Sequence, residues 1–171
     1  MGDLTDTTTA KRLTEALIGR KLKLVLAESC TSGLAAAMLG AVPGVSNHFC
    51  GSAVTYRIDT KSQWLGIDTD FIDAHTGESP ETSLAMAIGV LDRTPEAHLS
   101  AAITGHLGPG APLEKDGVVH VAVAKRDGLR RSTKWESFTL EGKLRADRQK
   151  EAAQVMLKYI SGVLIDGELF D

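Results

Sequence analysis

Leu22-Lys23-Leu24-Val25-Leu26-Ala27-Glu28-Ser29-Cys30-Thr31-Ser32-Gly33 is the stretch on which the reading of this chain turns. An apolar run stops at Ala27, small polar and ionisable residues follow, and Leu34 to Leu39 is a small-residue helical segment. This is the pattern of a buried strand that feeds a helix through a tight polar turn. Such a turn lies at the carboxyl end of the strand, beside free N–H groups and the positive end of the helix dipole. Glu28, Ser29, Cys30 and Thr31 therefore stand where α/β proteins place a nucleophile or an anion site.

Outward from this stretch, helices and strands alternate. Thr9 to Arg20 reads as a helix with Ala10, Leu13 and Leu17 on one face, and Lys21 to Ala27 as the first strand. Val42-Pro43-Gly44 stops the helix after the turn. Phe49 to Arg57 reads as a second strand. Asp59 or Thr60 caps a short helix that Gly66 ends, and Asp68 or Thr69 opens another to about His75. Ser79-Pro80-Glu81 joins an N-cap, a proline at the first helical position and an acid in the first turn. That helix runs to about Leu91, with Leu84, Ala87, Ile88 and Leu91 as its expected buried face. Leu99 to Thr104 is a third strand. Val118 to Ala124 and Arg131 to Leu140 form a hairpin about Asp127-Gly128. Lys143 to Leu164 is a long helix whose Ala152, Val155, Met156, Tyr159, Ile160 and Val163 follow helical spacing. The order predicts an α/β fold: a three-layer α/β/α sandwich with a mixed, mostly parallel sheet of about five strands. It is expected to be one domain over residues 1–171, with residues 1–8 frayed.

Composition excludes several classes. The chain is 43% hydrophobic and 24% charged, ordinary values for a globular protein. A net charge of −3 leaves no electrostatic footprint for nucleic acid. Cys30 and Cys50 make neither a disulfide framework nor a zinc signature. No apolar run approaches the roughly 18 residues needed to span a bilayer, and Met1 to Ala10 lacks the regions of a signal peptide. Met1-Gly2 begins like a myristoylation site, but Asp6 stands where Ser or Thr is required. The expectation is a cytoplasmic protein with no membrane and no nucleic-acid partner.

Two other strand ends carry groups that could serve Ser29. A serine in such a turn commonly caps its helix; as a nucleophile it needs a base and oxyanion donors. The five histidines form no motif and no G-x-S-x-G elbow is present. Lys61 follows Tyr56 by five residues, just past the second strand, and a desolvated lysine can take a serine proton. Most lysines are instead solvated. Thr104-Gly105-His106-Leu107-Gly108-Pro109-Gly110 is a glycine loop after the third strand, without Walker A or dinucleotide features. Arg145 and Arg148 could hold a phosphate or simply face solvent. Cys30 could be a thiolate or packing. Glu28 could orient Lys61 or complement the helix dipole.

Taken together, Ala27-Glu28-Ser29-Cys30-Thr31-Ser32-Gly33, Val54-Thr55-Tyr56 with Lys61, Ala85-Met86-Ala87, and Thr104-Gly105 with Gly108-Pro109-Gly110 resemble the CinA C-terminal domain family. The resemblance covers about residues 9–164. Characterised members are nicotinamide-nucleotide amidohydrolases. The resemblance implies a three-layer sandwich, and metal-independent, cofactor-free hydrolysis of nicotinamide mononucleotide to nicotinate mononucleotide and ammonia. It implies Ser29 as nucleophile, Lys61 as base and Tyr56 as an orienting or relay group. Substrate would meet Glu28, Cys30, Thr31, Ser32, Gly33, Thr104 and Gly105, with backbone N–H groups around Cys30 to Gly33 holding an oxyanion or phosphate. A homodimer is implied on family grounds alone.

The sequence also departs from the family's motifs. Ser32-Gly33 replaces Gly-Gly, and its added side chain is expected to narrow the turn. Ile58 replaces an asparagine near the lysine. Thr76-Gly77-Glu78-Ser79 replaces Gly-Ala-Val-Ser, and His106-Leu107 replaces Ile-Ala. Glu141-Gly142-Lys143 replaces Gly-Asp-Arg, so Lys143 or Arg148 is the expected phosphate group. Longer members carry an N-terminal molybdopterin-binding-like domain, and this sequence is expected to be a stand-alone form. The leading expectation is a pyridine-nucleotide amidase. The alternative is a CinA-like nucleotide-binding or accessory module with little or no catalysis; a thiol enzyme using Cys30 is a third reading. The catalytic reading requires Ser29 Oγ within about 3 Å of Lys61 Nζ, or one bridging water away.

Overall fold

The structure, a computed structural model, describes residues 7–167. Six α-helices and five strands follow in the order α1 (Thr8–Arg20), β1 (Leu24–Glu28), α2 (Leu34–Gly40), β2 (Phe49–Val54), α3 (Ile58–Leu65), α4 (Thr69–His75), α5 (Pro80–Asp92), β3 (Leu99–Gly105), β4 (Val118–Asp127), β5 (Arg130–Thr139) and α6 (Arg145–Asp166). The expectation of fraying falls largely on residues 1–6, which lie outside the described residues; Thr8 is already helical.

The sheet order is β2-β1-β3-β4-β5. β1 pairs in parallel with β2 and β3, while β4 is antiparallel to both β3 and β5. Alternation along the central strands divides the core in two. Leu24, Leu26, Leu99, Ala101, Ile103, Val119 and Val121 face α1, α2 and α6. Val25, Ala27, Ala102, Ala122 and Ala124 face α3, α4 and α5. This is the expected three-layer α/β/α sandwich, with a mixed sheet parallel about its centre. No helix of the described residues is long and apolar enough to cross a membrane.

Several boundaries differ from expectation for local reasons. Lys21 adopts the left-handed conformation that ends α1 (φ 54°), so β1 begins only at Leu24. β2 ends at Val54, and the Thr55 N–H makes a last bond to the Glu28 carbonyl at 2.8 Å before the chain turns. α3 begins at Ile58 rather than after a cap at Asp59; Thr60 reaches back from inside the first turn, its Oγ1 accepting from the Arg57 N–H at 3.2 Å. Ser79 caps α5 as expected, accepting from the Thr82 N–H at 3.1 Å.

The buried face of α5 is rotated from the expected one. Thr82, Ser83, Met86, Ala87, Gly89 and Val90 are buried beside Leu91, while Leu84 and Ile88 are only half-buried. Small residues let this helix lie close to the alanine-rich face of the sheet. Hydrogen bonds from Ser83 Oγ to the His120 carbonyl (3.1 Å) and from Ser100 Oγ to the Ala87 carbonyl (2.6 Å) hold it there. Polar groups thus occupy a face that hydrophobic spacing assigned to leucine and isoleucine.

Candidate active site

The carboxyl ends of β1, β2 and β3 share one edge of the sheet. β1 lies between the other two, and the chain leaves β1 and β2 toward opposite faces, through α2 on one side and α3 to α5 on the other. A crevice opens at such a switch point. Here it is a cleft of ≈ 220 Å³ lined by Ser29, Cys30, Tyr56, Glu78, Gly105 to Ala111, and Arg145.

Ser29 enters the cleft from the end of β1, its N–H still bonded to the Ile103 carbonyl of β3 at 3.1 Å. Lys61 lies behind it. Its Nζ is 2.9 Å from Ser29 Oγ, 3.0 Å from the Thr55 carbonyl and 3.4 Å from the Tyr56 carbonyl. The side chain is 1% exposed. Burial pushes the lysine below its ordinary value of 10.5, and the Glu78 carboxylate opposes that depression. The arrangement suits proton transfer. A charged ammonium donates to all three oxygens. A neutral amine keeps two N–H bonds to the carbonyls and turns its lone pair to the serine hydroxyl.

Tyr56 contributes at both ends. Its carbonyl faces Lys61, while its half-exposed phenol oxygen accepts from Arg145 Nη2 at 2.8 Å. Arg145 also donates from Nη1 to the Gly108 carbonyl. The guanidinium is thereby held on the cleft wall between the end of β2 and the glycine loop.

Glu28 is placed differently from any substrate contact. It is fully buried and accepts five hydrogen bonds: from Thr31 Oγ1, the N–H groups of Gly33, Ala35 and Ala36, and Ser52 Oγ, at 2.7 to 3.1 Å. It caps α2 from beneath and ties it to β1 and β2, which is the dipole-complementing reading. This corrects the expected anion site. The amides of Gly33, Ala35 and Ala36 serve Glu28, and those of Ser32 and Leu34 bond back to the Ser29 and Thr31 carbonyls. Among the described residues, the Cys30 and Thr31 amides of this turn have no backbone acceptor, and of these two residues Cys30 alone lines the cleft.

Other expected contacts also move. Thr31 is buried on Glu28 and lies off the cleft lining. Ser32 adopts φ 53° with its side chain exposed and off the lining, so it does not narrow the cleft. Thr104 is buried and donates to the Gly77 carbonyl at 2.8 Å, pinning the turn before α5. Gly105 does line the cleft, and only glycine fits there. An added Cβ would stand 2.4 Å from the Val118 carbonyl and 2.6 Å from Val119 Cα. Arg148 does not line the cleft. It pairs with both Asp116 carboxylate oxygens at 2.8 and 3.0 Å and donates to the Gly142 carbonyl at 2.7 Å. Of the two arginines at the start of α6, the structure puts Arg145 in the cleft. Lys143 is off the lining as well. Burial pushes the Cys30 thiol up to about 12, which rules against a thiolate nucleophile at neutral pH. Glu78 and His106 join the wall with their side chains 3.9 Å apart. Sequence reading marked them only as departures from a motif.

Fold and site together define a three-layer α/β/α protein with a buried lysine set against a serine at the carboxyl edge of its parallel strands. The sequence model of the CinA C-terminal domain matches residues 6–164, and the chain belongs to that family. A CinA-like protein of Myxococcus xanthus is 44% identical over 103 residues, covering 59% of this chain and 24% of that protein. Another, of Chloroherpeton thalassium, is 35% identical over 153 residues, covering 87% of this chain and 36% of that protein. The chain thus spans about a quarter to a third of the length of these curated relatives. Among solved structures, the competence/damage inducible protein CihA from Agrobacterium tumefaciens superposes with a TM-score of 0.83 at 30% identity, over 94% of each chain. The competence damage-inducible protein A from Klebsiella pneumoniae superposes with a TM-score of 0.85 at 24% identity, over 93% of this chain and 96% of that one, a likeness of fold.

Proposed function

We propose that the cleft hydrolyses the carboxamide of nicotinamide mononucleotide, or of a closely related pyridine nucleotide, to the carboxylate and ammonia. One observation carries this reading: Lys61 Nζ lies 2.9 Å from Ser29 Oγ with the lysine 1% exposed. Desolvation favours the neutral amine, which is the form a base requires. Lys61 takes the Ser29 proton as Oγ bonds to the carboxamide carbon. The same proton then goes to the departing nitrogen as the C–N bond breaks and ammonia leaves. The neutral lysine then takes a proton from water as its oxygen bonds to the acyl carbon, and returns that proton to Ser29 Oγ as the ester C–O bond breaks and the carboxylic product leaves. The amide of Cys30, which lines the cleft beside Ser29, is the donor offered to the oxyanion. Arg145, held by Tyr56 and Gly108, is the cation for a phosphate at the other end of the cleft.

The test is ammonia release from nicotinamide mononucleotide by the wild type, Ser29→Ala and Lys61→Ala. Wild-type turnover that falls by about 10³-fold or more in each variant is expected. Equal rates in all three would remove Ser29 and Lys61 from the chemistry. Thermal stabilisation by the nucleotide without turnover would identify a binding module instead.

A further inference from the structure

The proposed reaction uses Ser29, Lys61 and Arg145 but leaves unexplained an acid that the fold takes trouble to present. Glu78 lies in the turn between α4 and α5, and that turn is held at several points. Thr104 Oγ1 donates to the Gly77 carbonyl at 2.8 Å, and Thr82 Oγ1 donates to the Thr76 carbonyl at 2.6 Å. Ser79 Oγ caps α5 immediately after Glu78. Thr76 itself sits at φ 70°, a conformation a β-branched residue keeps only when its surroundings impose it. A turn tied to β3 and α5 fixes where the Glu78 side chain leaves the backbone. It leaves into the wall of the cleft that holds Ser29.

The carboxylate is 40% exposed, and His106 Nε2 at 3.9 Å is too far for a hydrogen bond. It therefore keeps acceptor capacity for a bound molecule. The cleft also carries a guanidinium, Arg145, held on its wall by Tyr56 and Gly108. One cleft thus presents an anion and a cation to whatever lies against Ser29. A ligand with a positive ring and a negative phosphate matches that polarity.

We infer that Glu78 is a specificity-determining residue, which selects amides attached to a cationic ring over neutral amides of the same shape. The inference rests on the amidase reading for its choice of ligand. Glu78 makes no contact with the reacting atoms in this role; its field favours the charged ring and fixes which end of the substrate meets Ser29.

The experiment compares nicotinamide mononucleotide, whose pyridinium is cationic, with its reduced dihydro form, whose ring is neutral and whose phosphate is the same. Ammonia release gives KM and kcat for each with the wild type, Glu78→Gln and Glu78→Asp. Calorimetry gives Kd for each on a Ser29→Ala background, where turnover does not interfere. Glu78→Gln is expected to raise KM and Kd for the cationic form by about tenfold. It should leave those for the neutral form unchanged, and Glu78→Asp should recover much of the preference. An equal change in KM and Kd for both forms, or none for either, overturns the inference, because a merely structural residue does not discriminate ring charge; kcat stays outside this comparison because the Glu78 carboxylate also acts on Lys61. If no variant releases ammonia but Glu78→Gln still erases the binding preference, the amidase reading fails and the charge selection stands. If neither form binds, both fail.

Discussion

Lys61 shows how one residue joins stability to activity. In an unfolded chain it titrates near 10.5; burial lowers that value in the native state. Between the lowered native value and 10.5 the unfolded chain binds more protons than the folded one. Stability therefore rises with pH through that window, and below it the cost of the buried charge is fully present. Urea denaturation at a series of pH values should show the wild type gaining on Lys61→Met as pH climbs toward 10.5. Parallel curves would contradict a depressed lysine. On the proposed amidase reading, in which the neutral amine is the base, ammonia release is expected to climb with pH through an apparent pKa below 10.5. Cys30 behaves oppositely. With its thiol raised to about 12 and 5% exposed, it should resist iodoacetamide at neutral pH, and Cys30→Ala should keep its turnover. Rapid alkylation mapped to Cys30 by mass spectrometry would contradict this.

At the scale of elements, α2 is a short helix with no ordinary N-terminal cap. Gly33 stands at its N-cap with φ 91° and no side chain to offer. The carboxylate of Glu28, from the preceding strand, satisfies the exposed amides instead. Glu28→Gln removes the charge and turns an amide donor toward groups that themselves donate. It is expected to cost about 2 kcal/mol or more by denaturant unfolding. Gly105 is a second such element. Gly105→Ala drives a methyl into the backbone of β4 and is expected to cost about 2 kcal/mol or more. An unchanged unfolding midpoint in either variant would show that the element tolerates what its geometry forbids.

Across the whole molecule, α6 crosses from one core to the rim of the cleft and carries two arginines with separate tasks. Arg148 clamps α6 to Asp116 and to the Leu107 and Gly142 carbonyls, joining the segments on either side of the β4–β5 hairpin. Arg145 stays at the cleft. Arg148→Ala should lower the Tm while leaving KM close to the wild-type value. On the proposed reading, Arg145→Ala should raise KM for nicotinamide mononucleotide by about tenfold or more with a smaller effect on Tm. Thermal melts and steady-state kinetics on the two variants distinguish the roles, and a KM effect confined to Arg148→Ala would reverse the assignment.

Much of this was legible along the chain. The alternation of apolar runs with helical spacing was enough for the three layers, and the late hairpin for the antiparallel strands. Ser79-Pro80 marked the start of α5, because a cap and a fixed φ act within a few residues. The parallel ends of β1 and β2 brought Ser29 and Lys61 to one edge. Other features were invisible because they depend on partners far apart in sequence. Whether Lys61 is solvated or buried is settled by packing against the end of β1, 32 residues away. Which arginine enters the cleft depends on Gly108 and Asp116, which claim Arg145 and Arg148 respectively. Glu28 sits in a motif that reads equally as a substrate contact or a cap, and only the fold of α2 over it makes it a cap. Spacing is a property of the chain and survives in any state of it. Burial and hydrogen-bond partnership exist only once distant segments close around a group.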